Sequence, residues 1–266
     1  MIDPAPTPRM AAMEANLLGH VAFVQQRVPG MTVTDHGDLV VVDSGLASDT
    51  FNKVLNLRLS TENADQRIEQ TLTEVQRTGR PFTWWIGPGS RPLDLEERLR
   101  AHGFREEERE LGMAIDLDKI PAAVPSPPDT VIQRVTTPAQ LNDFAGVLAD
   151  LSEPPDENVR RFFELGADVL LVNDCPMRLF VAYVDGVPAA VSELFAGADV
   201  AGVHMVATAT AYRRRGLGMA LTWKVLEEGR RLGLSTGTLQ ASAEGQPVYE
   251  KLGFEPCGSF SEYVHA

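Results

Sequence analysis

A chain of 266 residues with 44% hydrophobic side chains has material for one large core or two ordinary ones. Its 37 acidic against 24 basic residues leave a net charge of −13, the wrong sign for gripping a phosphate backbone, so nucleic acid is not an expected partner. No run of 18 apolar residues and no basic-then-apolar leader occurs, so a cytoplasmic protein without a membrane partner is expected. Cys175 and Cys257 stand alone, and the five histidines include no pair at zinc spacing, so no metal is expected. The acidic balance suits a cationic substrate such as an amine, and it suits plain solubility equally well.

The first elements are short. Residues 33–35 and 39–43 form a hairpin around His36-Gly37-Asp38, followed by a strand over 51–59 and a helix over 63–78. Pro81-Phe82-Thr83-Trp84-Trp85-Ile86 reads as the next strand, and a short helix ends at Gly103-Phe104. Residues 120–129 then carry four prolines, the mark of an extended, semi-rigid linker that divides a domain at 1–119 from one at 130–266.

Beyond the linker a strand over 131–135 precedes helices over 138–151 and 156–165, the first opening after Thr137 as N-cap. Strands 178–184 and 187–195 turn about Asp185-Gly186, and a second reversal near Gly197 leads into a strand over 200–208. A helix over 217–232 has Leu217, Leu221, Val225 and Leu226 on one face. A strand over 238–242, a short helix and a final strand pair over 254–264 complete the chain. The class is α/β, a mixed sheet with helices on both faces.

The turn between the strand ending at Thr208 and the helix starting at Leu217 holds Tyr212-Arg213-Arg214-Arg215-Gly216-Leu217-Gly218. A strand that turns through Arg-x-x-Gly-x-Gly into a helix aims several backbone N–H groups at one point, where the helix dipole favours a phosphate. The glycines allow main-chain conformations and close approaches that a Cβ would block. A dinucleotide fingerprint is excluded, because Leu221 stands where a third Gly or Ala belongs and no acidic residue follows about 20 residues on. No Gly-Lys-Ser/Thr occurs, which excludes an ATP loop of the Walker type.

This turn resembles the pyrophosphate-binding loop of the GNAT superfamily of acyl-CoA-dependent N-acyltransferases, whose signature is Arg/Gln-x-x-Gly-x-Gly/Ala. A second GNAT-like signature follows in the right order: strand Thr238-Leu239-Gln240-Ala241-Ser242, then Gln246-Pro247-Val248-Tyr249-Glu250-Lys251-Leu252-Gly253-Phe254. The resemblance implies acetyl-CoA as the co-substrate, held by Arg213, Arg214, Arg215, Gly216, Leu217 and Gly218. It implies a strand that splays at a bulge, so that backbone groups of Val206, Ala207 and Thr208 meet the pantetheine arm and the thioester. Tyr249 takes the place of the general acid that protonates the departing thiolate; otherwise it is a buried aromatic. For the base, His204 and Glu193 stand as alternatives. Ser242 either touches the cofactor or caps the following helix. Thr210 departs from the family, which often has proline three residues before the arginine.

The first half carries a faint copy of the second, with Gly103-Phe104 lying 150 residues ahead of Gly253-Phe254. The order strand, helix, strand, short helix, Gly-Phe occurs twice. At the loop position the copy has Ser60-Thr61-Glu62-Asn63-Ala64-Asp65, without glycine and with two carboxylates, and Leu99 stands for Tyr249. Tandem GNAT-like domains are therefore expected, the second complete and the first degenerate. The first would bind no CoA productively and would wall the acceptor cleft, with Phe82, Trp84 and Trp85 lining a pocket or packed as core. The resemblance implies an N-acetyltransferase acting on a primary amine of a small molecule. A peptide or protein N-acetyltransferase and a non-catalytic CoA-binding sensor are the alternatives. Either a pseudo-dimeric monomer or a homodimer is compatible.

Overall fold

The computed structural model describes residues 6–125 and 127–265, so Ser126 of the proline-rich stretch lies outside the described residues. In chain order the elements are α1 (Pro8–Phe23), β1 (Thr32–Asp35), β2 (Val40–Asp43), β3 (Lys53–Leu55), α2 (Ala64–Gln76), β4 (Thr83–Ile86), α3 (Leu95–Ala101) and β5 (Phe104–Asp116). There follow β6 (Thr130–Arg134), α4 (Pro138–Ala149), α5 (Glu157–Leu165), the single turn α6 (Ala167–Leu170), β7 (Met177–Val184), β8 (Val187–Gly197) and β9 (Val200–Thr208). The chain closes with α7 (Leu217–Arg231), β10 (Thr236–Ala241), α8 (Gln246–Leu252) and β11 (Glu255–His265).

These elements form two compact units, Met1–Gly112 with Cys257–Ala266, and Met113–Pro256. The break thus falls inside β5, ahead of the proline-rich stretch, and most of β11 folds with the first unit. Residues 254–264 were expected to make a strand pair; they form one continuous strand instead. Phe260, Ser261 and Tyr263 of this strand are buried.

In the first unit the strand order is β1-β2-β3-β4-β11-β5, with β3 and β4 parallel and β1–β2, β2–β3 and β4–β11 antiparallel. Alternation along the strands gives the sheet two apolar faces. Val41, Val54, Trp84 and Tyr263 pack with Ile68 and Val75 of α2 and Leu95 and Leu99 of α3. Val40, Val42, Leu55 and Trp85 pack with Leu18, Val21 and Ala22 of α1. α1 starts at Pro8, where a missing N–H costs nothing, and Thr7 caps it by accepting from the Met10 N–H at 3.3 Å. Phe82 and Trp84 are core, while Trp85 is half-buried on the α1 face.

The second unit has the order β10-β9-β8-β7-β6, with the end of β5 beside β10. β6–β7, β7–β8 and β8–β9 are antiparallel and β9–β10 parallel. Asp185 (φ 51°) and Gly186 (φ 79°) make the tight reversal that an Asp-Gly pair favours. The next reversal is built by Ala198 (φ 51°) and Asp199 (φ 59°), just past the expected Gly197. α4 packs on β7 and β8, α7 on β8 and β9. Leu217, Leu221, Val225 and Leu226 of α7 are all buried, as their spacing requires. The proline-rich stretch is anchored at its start, where Trp223 Nε1 of α7 donates to the Pro121 carbonyl at 2.8 Å.

Candidate active site

The site begins with a short sheet pairing. β10 and β9 pair in parallel at Gly237–Ala201 and Thr238–Gly202, and among the described residues the pairing goes no further. Beyond those positions, among the described residues, β9 and β10 are not paired with each other. The cause lies on the other edge of β9. Its register with β8 shifts between Val191 and Glu193, which pair with Ala207 and His204. β9 therefore carries one residue more than β8 here, a bulge that bends the strand. Met205 sits in the bulge at φ 50°, a conformation that is costly for a residue with a Cβ. Nothing in the sequence marks Met205, because a bulge filled by a non-glycine residue has no compositional signal.

Past the bulge, Val206, Ala207 and Thr208 are half-buried and lead to the loop. A single 3₁₀ turn (Thr210–Tyr212) occupies the place where Thr210 replaces the expected proline. Arg214 (φ 64°) and Gly216 (φ 88°) then reverse the chain into α7. Gly216 is the N-cap, and no side chain caps the helix, so its first N–H groups stay open for an outside acceptor. A Cβ on Gly218 would lie 3.9 Å from Cγ1 of Val206, which sets the helix start beside the splayed strand.

All three arginines are exposed, and among the described residues none forms an ion pair with a carboxylate. Arg213 Nε donates to the Thr208 carbonyl at 3.3 Å. Arg215 donates to the Ala211 carbonyl at 3.1 Å and lies 5.1 Å from the Tyr212 ring centroid. Their charge is thus held at the loop by the main chain and an aromatic face instead of being neutralised.

Glu193 and His204 are direct partners across β8 and β9, with 1% and 9% of their surface exposed. Directly opposed residues share a face, so the two base candidates are neighbours at the bulge. Tyr249, on α8, is 9% exposed and stands edge-on to Phe254 at 5.9 Å. Gly245 makes room for it, since a Cβ there would lie 2.9 Å from Cε2 of the tyrosine. Ser242 Oγ accepts from the Gly245 N–H at 3.2 Å, so this hydroxyl shapes the turn into α8. Gly245 and Met205 are the site residues that sequence reasoning did not single out. Among the described residues no group of three or more His, Cys, Asp or Glu gathers that could hold a metal ion. Among the described residues no helix is long and apolar enough to cross a membrane.

Residues 144–254 match the model of the acetyltransferase (GNAT) family. No curated protein matches the chain in sequence. Solved structures match in fold: a GCN5-related N-acetyltransferase from Kribbella flavida has a TM-score of 0.70 at 17% identity, with 98% of this chain and 96% of that one covered. A GCN5-related N-acetyltransferase from Sphaerobacter thermophilus has a TM-score of 0.63 at 16% identity, covering 98% and 93%. A tandem GNAT protein from the clavulanic acid biosynthesis pathway has 0.59 at 16%, covering 97% and 93%. At such identities the likeness is one of fold, a mixed α/β sheet that fits a tandem GNAT architecture.

Proposed function

We propose, from the match of residues 144–254 to the acetyltransferase (GNAT) family model, that the protein transfers an acetyl group from acetyl-CoA to a primary amine of a small molecule in the cytoplasm. One observation carries the reading: β9 and β10 part after two residue pairs, beside a helix N-terminus that no side chain caps. Open amides at residues 216–218 and the unneutralised charge of Arg213, Arg214 and Arg215 fit a pyrophosphate. As acyl-donor substrate, acetyl-CoA supplies an activated thioester.

The chain's own groups account for the remaining chemistry. Backbone N–H groups on the open edge of residues 206–208 donate to the acyl carbonyl oxygen. Such donors strengthen as negative charge builds, an effect worth roughly 3–4 kcal/mol where one has been removed. Tyr249 holds the proton for the departing sulfur. An amine near pKa 10 arrives protonated, and His204 or its neighbour Glu193 takes that proton, directly or through water. Holding donor and acceptor together makes the attack effectively intramolecular.

Thiol release from acetyl-CoA, followed with the full-length protein and a panel of small primary amines, tests the proposal. Amine-dependent release is the expected result. Calorimetric binding of CoA without release for any amine would replace the enzyme by a CoA-binding sensor, and release with peptides alone would move the acceptor to a lysine or N-terminus. The pH–rate profile of His204→Ala separates the two bases, because an unshifted acidic limb leaves Glu193.

A further inference from the structure

The first unit has a splay of its own. Among the described residues β3 and β4 pair in parallel only at Lys53–Thr83 and Val54–Trp84, and Asn56 follows at φ 57°, much as Met205 follows the last β9–β10 pair. Here, however, the gap closes again, since Arg58 bridges to Arg91. Between these points lies a pocket walled by Leu17 and Leu18 of α1, Leu55 of β3, Trp85 of β4 and Phe260 of β11.

Glu14 of α1 also lines this pocket, and its carboxylate is held on both oxygens. Oε1 accepts from the Gly89 N–H at 2.9 Å, and Oε2 accepts from Arg58 Nη2 at 3.1 Å. The side chain is 13% exposed. Two glycines make the fit possible: a Cβ on Gly87 would stand 2.4 Å from Oε1, and one on Gly89 would stand 2.4 Å from Oε2. A main-chain N–H and a guanidinium converging on one carboxylate, against apolar walls, are what a bound small carboxylate would require. Neither glycine has a positive φ, so their lack of a Cβ serves this close approach and not a turn.

We infer that the first unit contains a carboxylate-binding site which α1 fills with its own Glu14 side chain. The unit is thus a GNAT-like half whose cleft is plugged by an internal ligand, and removing that side chain offers the site to a diffusible one such as acetate. The inference stands apart from the acetyl-transfer reading, because its site and its readout lie wholly in the first unit.

Thermal unfolding of the full-length protein tests it. Glu14→Ala is expected to melt about 3–6 °C below the wild type. Sodium acetate at about 100 mM should return roughly 2–4 °C beyond what sodium chloride returns at equal ionic strength. The wild type, Glu14→Gln, which keeps the side-chain volume, and the double variant Glu14→Ala/Arg58→Ala should gain nothing beyond the chloride effect. Equal responses to acetate and chloride in Glu14→Ala overturn the inference, as does an equal acetate gain in the double variant. Should Glu14→Ala fold only in part, its refolding yield in acetate against chloride reads the same site, and equal yields overturn it.

Discussion

Residues 60–65 and 213–218 are two versions of one turn. Each joins a strand to a helix, α2 or α7, that crosses to a parallel strand, β4 or β10. In the first the chain satisfies its own backbone: Asn63 Oδ1 accepts from the Ser60 N–H at 2.9 Å and Ser60 Oγ accepts from the Asn63 N–H at 3.2 Å. Its charges are negative. Asp65 pairs with Arg98 and His102, and the hydrogen bond from Ser60 holds the Glu62 carboxyl below its usual range. In the second, two positive φ values turn the chain, no side chain caps the helix, and the charges are positive. A helix start becomes an anion site only where the chain leaves its donors unspent. Topology alone does not decide it. The same contrast holds farther along, where Leu99 is wholly buried core in the place that Tyr249 takes on α8.

The sharpest way to break the contrast is to give the second turn the character of the first. Gly216→Glu adds a Cβ at φ 88° and a carboxylate at the helix start; calorimetry should show CoA affinity falling by about 100-fold or more, from left-handed strain and lost anion attraction together. Next comes the proposed proton donor. Tyr249→Phe should lower turnover about 10²-fold with CoA affinity nearly unchanged, and unaltered turnover would remove the tyrosine from the mechanism. The reciprocal change Leu99→Tyr should leave turnover where it is.

The remaining test belongs to the first unit and concerns pH. Burial pushes the Glu110 carboxyl of β5 up to about 8, with Glu262 and Glu108 adding to the rise and Lys53 opposing it. Against an unfolded value of 4.5, the folded chain holds an extra proton between 4.5 and about 8. Stability from this group is therefore full below 4.5, falls as pH rises through that window, and is flat above it. Glu110→Gln should flatten this part of the melting-temperature profile, with its gain over wild type visible near pH 9 and absent near pH 4. A profile as steep as that of the wild type would show that other groups set the slope.

Much of this architecture was legible from local patterns. Strand 200–208 and helix α8 followed from a buried apolar run and from a proline–glycine frame, and the Asp185-Gly186 turn from its need for positive φ. The Arg-x-x-Gly-x-Gly run marked the strand-to-helix turn, because its glycines allow the positive φ that Gly216 adopts. Helix α1 was not read, since its buried side is blurred by Asn16 amid alanines and methionines. The return of β11 to the first unit was not read either: its partner, β4, lies far back in the chain, and strand patterning records burial without naming the neighbour.

Periodicity, turn chemistry and glycine spacing, all properties of neighbouring residues, thus set the order of elements and the place of the proposed phosphate loop. Long-range packing set the rest. The bulge at Met205, the two-residue limit on the β9–β10 pairing, the juxtaposition of Glu193 with His204, and the carboxylate of Glu14 lodged between Gly89 and Arg58 all join residues from separate elements. Such meetings are decided by which surfaces exclude water together, and that is a property of the folded chain as a whole.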